Sequence, residues 1–287
     1  MQTQEVFSLK NYTDNESLKT NVHLSTLFIH ISSHRISCSI ASDNQKALYS
    51  LRILELHSGD IYKNNLTGLK NLFDSFQFDY SDVAATKIII ESVNHAFVPE
   101  PLFTAEKAAS FLKLSAPVSS DHEILFNRIK KNIVSVFAVE HDFYSALKTL
   151  FPQADLLHEA EQLLNIVSEQ KDPADTLFVH LNKNYLHIIQ FKNNGLHYFN
   201  SFMSEADTDI IYFILSVAEL LKIPSDKMNV LLFGNVSNNS SLTGLMKKYI
   251  PYVELMKRPE QFTYPASFRE FQEQQNYLQI SSLLCAS

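Results

Sequence analysis

A short apolar segment occurs twice in this chain and constrains its architecture more than any other feature. Residues 26–31 read Thr-Leu-Phe-Ile-His-Ile, and residues 176–181, 150 positions later (176 − 26), read Thr-Leu-Phe-Val-His-Leu. Each copy is followed by four polar or basic residues and then by a second apolar-rich run, at 36–40 and 186–191. Internal similarity fixes architecture early, so we predict a chain built from two copies of one unit.

The elements that follow each copy also correspond. Alternating patterns and turn residues predict three antiparallel strands, then a helix, then a buried strand in each half. In the first half these are the strands 27–31, 36–40 and 48–56, the helix 62–77 and the strand 87–92. In the second half they are the strands 176–181, 185–191 and 196–203, a deeply buried helix that Asp207 or Thr208 caps and that ends at Leu221, and the strand 229–233. This order predicts an α/β class with two similar subdomains.

The rest of the chain carries further elements. Over residues 1–25 we predict a loop, with a short strand near Val6–Leu9 as the alternative. Between the copies we predict a helix that Thr104 caps and that ends at Leu112, strands at 123–129, 133–139 and 155–157, and helices at 141–150 and 160–167. After the second copy we predict a helix at 242–249, a strand at 252–256 and a packing helix within 265–284. The polar segment 169–175 contains Pro173 and marks a boundary. We therefore divide the chain into a first subdomain, 1–172, a second subdomain, 173–260, and a C-terminal packing helix, 261–287.

The net charge of −7 and the positions of the two cysteines limit the partners and the cellular compartment that we expect. Nucleic-acid binding needs a basic face, so the acidic balance excludes a general nucleic-acid partner. Cys38 and Cys285 stand at opposite ends, which suits a reducing cytoplasm better than a disulfide framework. The N-terminus lacks the pattern of a signal peptide, and the longest apolar stretch, 210–221, is shorter than the roughly 20 residues that span a bilayer. We expect a cytoplasmic protein without membrane insertion.

Glycine is scarce, with five residues in 287. Loops that wrap phosphate need glycine, because only then can backbone N–H groups approach the ligand closely. The sequence therefore contains little material for phosphate-binding loops.

Several segments, mostly in the second half, resemble the motifs of a known superfamily. Asp155-Leu-Leu-His-Glu-Ala-Glu-Gln-Leu-Leu resembles the strand and helix that precede its second phosphate motif, and residues 176–204 resemble the meander of that motif. Asn229-Val-Leu-Leu-Phe-Gly-Asn-Val-Ser, with Leu242-Thr-Gly-Leu-Met-Lys-Lys-Tyr, resembles its adenosine motif. This superfamily is the actin-like ATPases, which include actin, the heat-shock chaperones and sugar kinases. Within this superfamily, the sequence pattern most resembles the PilM-type pilus-assembly branch and an uncharacterised bacterial family with an actin-like fold.

The resemblance implies a duplicated ribonuclease-H-like fold with mixed sheets and a cleft between its subdomains, where ATP binds in the superfamily. By this resemblance the candidate cleft residues are His30, Ser32 and Ser33 in the first phosphate motif, His180, Asn182 and Lys183 in the second, and Gly234 and Asn235 in the adenosine motif. The superfamily has an acid at the positions of His30 and His180. Mg²⁺ prefers carboxylate or water oxygens, which an imidazole replaces poorly. We therefore expect no catalytic residue, no metal ligand and no cofactor. The chain would bind ATP with Mg²⁺ only if other residues supplied the Mg²⁺ contacts.

Histidines near the two meanders leave alternatives open. His30 with His34, or His30 facing His180, could form a metal or paired-histidine site. The simpler interpretation is that these are strand-end histidines whose nitrogens the backbone satisfies. A ribonuclease-H-like nuclease would need an aspartate where His30 stands, and the negative charge also argues against it.

Acidic residues near the strand ends have plain explanations too. Glu205, Asp207 and Asp209 precede an apolar helix, so helix capping explains them better than a carboxylate cluster does. Glu91 follows a triple-isoleucine strand, and we predict an exposed strand terminus rather than a cleft acid.

Three functional hypotheses follow. The first is a non-catalytic scaffold that binds a protein or peptide, and the PilM-type resemblance suggests the cytoplasmic tail of a membrane protein as that partner. The second is a divergent ATP-binding ATPase or kinase, and the third is a small-molecule sensor that uses the cleft. The aromatic residues Phe262, Tyr264 and Phe268 could line a peptide groove, although packing in the core is favoured. A homodimer is left open.

Overall fold

A computed structural model of the chain describes residues 7–42, 44–56, 70, 73–74, 82–115, 117–129, 132–170, 176–193, 195–237, 240–270 and 272–281. The chain forms two compact units. The first comprises Met1–Glu161 with Gln261–Phe268, and the second comprises Gln162–Glu260 with Arg269–Cys285. The boundaries predicted from composition remain predictions.

The first unit contains a six-stranded mixed sheet. Its strands, in sheet order, are β1 (Phe7–Thr13), β4 (Ala47–Leu56), β3 (Arg35–Ser42), β2 (Thr26–Ile31), β5 (Ala85–Ile90) and β9 (Asp155–His158). The pairs from β1 to β2 are antiparallel, whereas β5 runs parallel to β2 and β9 parallel to β5. The central strands β2 and β3 are buried along nearly their whole length. The sequence of β2 is accordingly an almost continuous apolar run, whereas β3 alternates small serines with apolar residues.

A second, antiparallel sheet completes the strands described in this unit. Its order is β6 (His95–Pro99), β8 (Ile133–Glu140) and β7 (His122–Ile129). The helices are α1 (Asn15–Asn21), α2 (Ala108–Leu112), α3 (His141–Leu150) and α4 (Glu159–Ser168), the last of which begins in this unit and ends in the next. The core joins β2 to α3, where Phe143 and Leu147 are fully buried.

The second unit contains a five-stranded mixed sheet. Its strands, in sheet order, are β12 (Gly195–Met203), β11 (Tyr185–Lys192), β10 (Thr176–Leu181), β13 (Asn229–Gly234) and β14 (Tyr252–Leu255). The helices are α5 (Asp207–Leu220), α6 (Ser241–Met246) and α7 (Tyr277–Ile280). Ile211, Ile214 and Val217 of α5 are buried in one core with residues of β10 and β11.

The two sheets confirm the predicted duplication. The order β4-β3-β2-β5-β9 of the first unit repeats as β12-β11-β10-β13-β14 in the second, with the same parallel and antiparallel pairs. Even an irregularity repeats. The strand register shifts between Ile40 and Ala41 in the first unit and between Gln190 and Phe191, 150 positions later, in the second.

The structure corrects several element predictions. Residues expected to form a loop include β1 and α1, and Asp14 caps α1 by accepting the N–H of Ser17 at 3.2 Å. Thr104 makes no side-chain capping bond, and a 3₁₀ turn (Ala105–Lys107) precedes α2. The helix predicted at 62–77 lies outside the described residues, apart from the helical Lys70, Phe73 and Asp74.

Two further corrections concern the second half of the chain. Helix α5 was expected to be buried on most faces, but Tyr212 is 65 % exposed and Leu220 is 66 % exposed. The C-terminal segment is not one packing helix, because it forms a 3₁₀ turn (Ala266–Glu270) and then the short α7. Phe268 is nonetheless buried and packs against Tyr12 and Tyr264, as the core-packing interpretation predicted. No helix in the described part of the chain has the length and apolar character to cross a membrane.

Candidate functional site

The first group of candidate residues lies at the carboxyl end of β2. Because β2 and β5 are parallel, their carboxyl ends share one edge of the sheet, and the N–H of Glu91 donates to Ile31 O at 2.8 Å. This places the Glu91 carboxylate beside the His30 ring, with 3.7 Å between Oε1 and Nδ1. Both side chains are buried, so the prediction of an exposed terminus at Glu91 is wrong.

The His30 imidazole is neutral at ordinary pH. Burial, with the positive charge of Arg35, lowers the pKa of His30 from 6.5 to about 3. A neutral ring cannot supply the anionic oxygen that an aspartate offers at this strand end. The Glu91 carboxylate lies nearby, but it follows β5 and does not stand at the end of β2.

The turn after β2 uses its polar groups internally. Ser32 donates its N–H to Arg35 O at 2.9 Å, and its hydroxyl donates to the same oxygen at 3.3 Å. The Ser32 hydroxyl also lies 3.5 Å from Nδ1 of His34. Ser33 is half-buried in the bend. The turn therefore keeps its hairpin shape without glycine.

The second group lies at the carboxyl ends of β10 and β13, which are parallel neighbours. Leu181 pairs with Gly234 at the last register position, and the N–H of Asn235 donates to Leu181 O at 2.7 Å. This edge carries five of the predicted residues: His180, Asn182, Lys183, Gly234 and Asn235. In open α/β sheets, ligands bind at carboxyl ends of this kind.

His180 lies directly opposite His187 on the antiparallel partner strand β11. The rings are nearly parallel, with 8° between their planes and 5.8 Å between their centroids, and Phe233 packs against His180 at 5.0 Å. Nδ1 of His187 lies 2.7 Å from the Ser201 hydroxyl of β12. Burial lowers the pKa of His187 to about 3, so this ring is also neutral.

Hydrogen bonds of the Asn182 side chain close the turn after β10. The Asn182 amide donates to the Tyr185 hydroxyl at 2.7 Å, and Oδ1 of Asn182 accepts the N–H of Lys183 at 2.8 Å. The Asn182 N–H donates to Tyr185 O at 2.9 Å, 150 positions after the equivalent bond of Ser32. Backbone donors that a glycine turn would offer to phosphate are therefore engaged here.

Gly234 has no room for a side chain. Its φ is +93°, and a Cβ at this position would lie 2.4 Å from Leu181 O and 2.8 Å from Cδ2 of His180. The Gly234 N–H donates to Gln274 O at 3.0 Å, and the Gln274 amide donates to Val236 O at 3.1 Å. Segment 272–281 therefore bonds to the turn after β13, and no local sequence pattern could have linked Gln274 to Gly234.

Of the three acids near the start of α5, Asp209 caps the helix, so the capping prediction is confirmed for that residue. Oδ2 of Asp209 accepts the N–H groups of Glu205 and Ala206 at 2.9 and 3.0 Å. Asp207 instead accepts the Ser241 hydroxyl at 2.6 Å. The predicted cap at Asp207 or Thr208 is wrong, because the acceptor comes from the first turn of the helix.

Sequence reasoning missed a buried polar cluster between β6 and α4. His95 stacks on His158 with 4.7 Å between ring centroids. Nδ1 of His158 accepts the N–H of Ala160 at 3.1 Å, so the proton lies on Nε2, 3.3 Å from the Ser92 hydroxyl. Ser92 therefore accepts a hydrogen bond from His158, which leaves the histidine unable to act as its base. Burial raises the pKa of Glu161 to about 7.

A groove of about 370 Å³ lies between the two sheets of the first unit. Its walls are Ile124–Asn127 of β7 and residues 154–157 around β9, with Tyr144 and Lys148 from α3. Among the described strands, β7 pairs only with β8 and β9 only with β5, so both walls are sheet edges. The Asn127 amide donates to Leu156 O across the groove at 2.9 Å.

Comparison with known proteins places the chain in a family. The model of the family described as a protein of unknown function, DUF3822, matches residues 14–253. The chain belongs to this family. No curated protein matches the DUF3822 chain.

Solved structures establish the fold of this DUF3822 protein. A protein of Bacteroides thetaiotaomicron, described as having an actin-like ATPase fold and unknown function, is 23 % identical, with a TM-score of 0.76 over 93 % of this chain and 98 % of that one. The PilM-PilN type IV pilus biogenesis complex matches with 12 % identity and a TM-score of 0.55, over 90 % of this chain and 97 % of that one. The DUF3822 chain therefore has the actin-like ATPase fold.

Proposed function

We propose that this DUF3822 protein is a non-catalytic, actin-like scaffold that binds an extended segment of a protein partner. The hydrogen bond from Gly234 to Gln274 O carries the first part of the proposal. It occupies a backbone donor at the strand end where the adenosine motif of an active relative binds its ligand. The neutral His30 ring, at the position of one of the superfamily's acids, supports the same conclusion, and the buried His180 stands at the position of the other acid.

The groove between β7 and β9 supports the second part. An edge strand offers unpaired backbone N–H and C=O groups, and a peptide can add to it as a further strand. Here β7 presents such an edge to the groove, and Phe126 on its rim is 37 % exposed. On the β9 wall, Leu156 O and Ala154 O already accept hydrogen bonds from Asn127 and Lys148. The PilM-PilN neighbour was solved as a complex with a second protein, which agrees with a partner-binding role.

The lining of the groove suggests the chemistry of the segment. Ile124, Phe126 and Leu157 offer apolar contacts, which favour alternate apolar side chains in an extended peptide. Lys148 is half-buried and donates to Ala154 O at 2.9 Å, so its ammonium group lies on the wall and favours a carboxylate in the peptide. The cytoplasmic tail of a membrane protein is the partner that fits the PilM-type resemblance, in line with the proposed cytoplasmic location.

Two measurements test the proposal. Thermal-shift titrations with ATP and ADP, with and without Mg²⁺, should leave the unfolding temperature unchanged. A saturable shift accompanied by ATP turnover would instead establish the divergent ATPase.

Peptides selected from a random display library should bind the wild type through the groove. We expect Phe126→Lys to weaken this binding by about tenfold or more, since it removes an exposed aromatic contact that the bound peptide would cover. Met203→Lys, an equally drastic change at a 61 % exposed methionine of β12, serves as the matched control and should bind as the wild type does. Equal loss in both variants, or none in either, would contradict the groove assignment.

A further inference from the structure

The cross-strand histidine pair of the second sheet has the arrangement of two metal ligands. His180 and His187 are direct partners in the antiparallel pair of β10 and β11, so both side chains project from the same face. A ring nitrogen of one lies within 4.8 Å of a ring nitrogen of the other. An ion that holds two nitrogens at about 2.1 Å each keeps them at most about 4.2 Å apart, a separation close to the upper bound found here.

The residue type decides which metal the pair suits. Both side chains are buried, with His187 fully buried and His180 5 % exposed. Imidazole nitrogen suits zinc, copper, nickel and iron, whereas Mg²⁺ and Ca²⁺ prefer oxygen. The chemistry therefore selects a transition metal rather than the magnesium of an ATPase.

A third strand orients the His187 ring. The Ser201 hydroxyl of β12 lies 2.7 Å from Nδ1 of His187, which leaves Nε2 as the nitrogen that can meet an ion. Metal-binding histidines commonly hold their second nitrogen in a hydrogen bond of this kind, which sets the tautomer and the ring orientation.

Gly234 makes space for the His180 ring. A Cβ at this position would lie 2.8 Å from Cδ2 and 2.9 Å from Nε2 of His180. The glycine that the adenosine motif retains therefore serves to admit an imidazole at the end of β10. Three neighbouring strands and one glycine thus specify the position of two nitrogens.

We infer that His180 and His187 are two nitrogen ligands of a transition-metal site of the zinc class. This inference does not depend on the proposed scaffold function. It assigns a role to the histidine that replaced the acid at the end of β10.

Zn²⁺ titration in competition with a chromophoric chelator tests the site. The wild type should bind one tight equivalent, and His180→Asn and His187→Asn should each weaken it by more than about 100-fold. Ser201→Ala keeps both ligands and should cost about tenfold, the usual effect of losing an outer hydrogen bond to a ligand.

His141→Asn is the matched control. His141 forms a surface pair with Glu123 at 2.7 Å and would account for adventitious zinc. Its substitution should leave the tight equivalent intact. Absorption bands of bound Co²⁺, recorded on the wild type and on Ser201→Ala, provide a second measurement if the asparagine variants do not fold. A wild type without a tight equivalent, cobalt bands that Ser201→Ala leaves unchanged, or loss only in His141→Asn would overturn the inference.

Discussion

Replacing Glu161 with glutamine should make the stability of the first unit less dependent on pH. Glu161 is buried in α4, where its Oε1 accepts the N–H of His158 at 3.3 Å. Burial raises the pKa of Glu161 from 4.5 to about 7, and the hydrogen bonds from His158 and Ser135 offset only part of this rise. Glutamine has nearly the same shape and keeps the acceptor oxygen, but it carries no charge.

The sign and size of the effect follow from the two pKa values. In the unfolded chain Glu161 ionises near pH 4.5, whereas the folded chain keeps the proton until about pH 7. The contribution of Glu161 to the free energy of unfolding is therefore fully present below pH 4.5 and is lost as the pH rises through 7. It is lost because the carboxyl ionises at a lower pH in the unfolded chain than in the folded one. One pKa unit corresponds to about 1.4 kcal/mol, so the loss is about 3 kcal/mol.

Urea unfolding of both proteins over this pH range gives the measurement. We expect Glu161→Gln to match the wild type in acid and to exceed its free energy of unfolding by about 3 kcal/mol above neutral pH. Glu219→Gln, at an exposed position of α5, is the control and should change little. A difference between Glu161→Gln and the wild type that does not vary with pH would refute the reasoning.

Three further predictions concern the strand ends and one helix cap. His30→Asn should lose less stability than the wild type on acidification from pH 6.5 towards 3, because in the wild type the unfolded chain takes up a proton at His30 and the folded chain does not. Parallel acid-unfolding curves for the two proteins would argue against this. Gly234→Ala should destabilise by at least about 2 kcal/mol in urea, from the positive φ and the contact with Leu181 O, whereas Gly244→Ala, with open space around it, should be neutral or stabilising. Asp209→Ala should cost about 1 kcal/mol through loss of the cap, and an unchanged urea midpoint would rule that cap out.

Local pattern predicted most of the sheet strands, because alternation and turn residues are themselves local. The strand predicted at 27–31 and the helix at 141–150 agree closely with β2 and α3. The prediction of one helix in the C-terminal segment is wrong, because packing against residues distant in sequence, rather than local periodicity, decides its conformation. Its buried residues fit the packing surfaces of the two units, and Asn276 interrupts the segment with φ of +52°.

The candidate site could be predicted only in part. Strand-end positions follow from the repeat and the resemblance, so the sequence predicts His180 and Gly234 near the carboxyl ends of their strands, and the structure shows that these strands are parallel neighbours. The partners of these residues were not predictable. Glu91 meets His30 only because β2 and β5 are parallel, and Gln274 meets Gly234 across forty positions of chain (274 − 234).

The sequence alone determined that the chain is duplicated and that a histidine stands at the same position of both repeated strands, because both facts follow from residue order. Only the tertiary structure decided what those histidines contact. Strand register set His187 opposite His180, and burial in the folded units made His30 and His187 neutral. Desolvation and cross-strand distance are properties of packed elements, so no local pattern carries them.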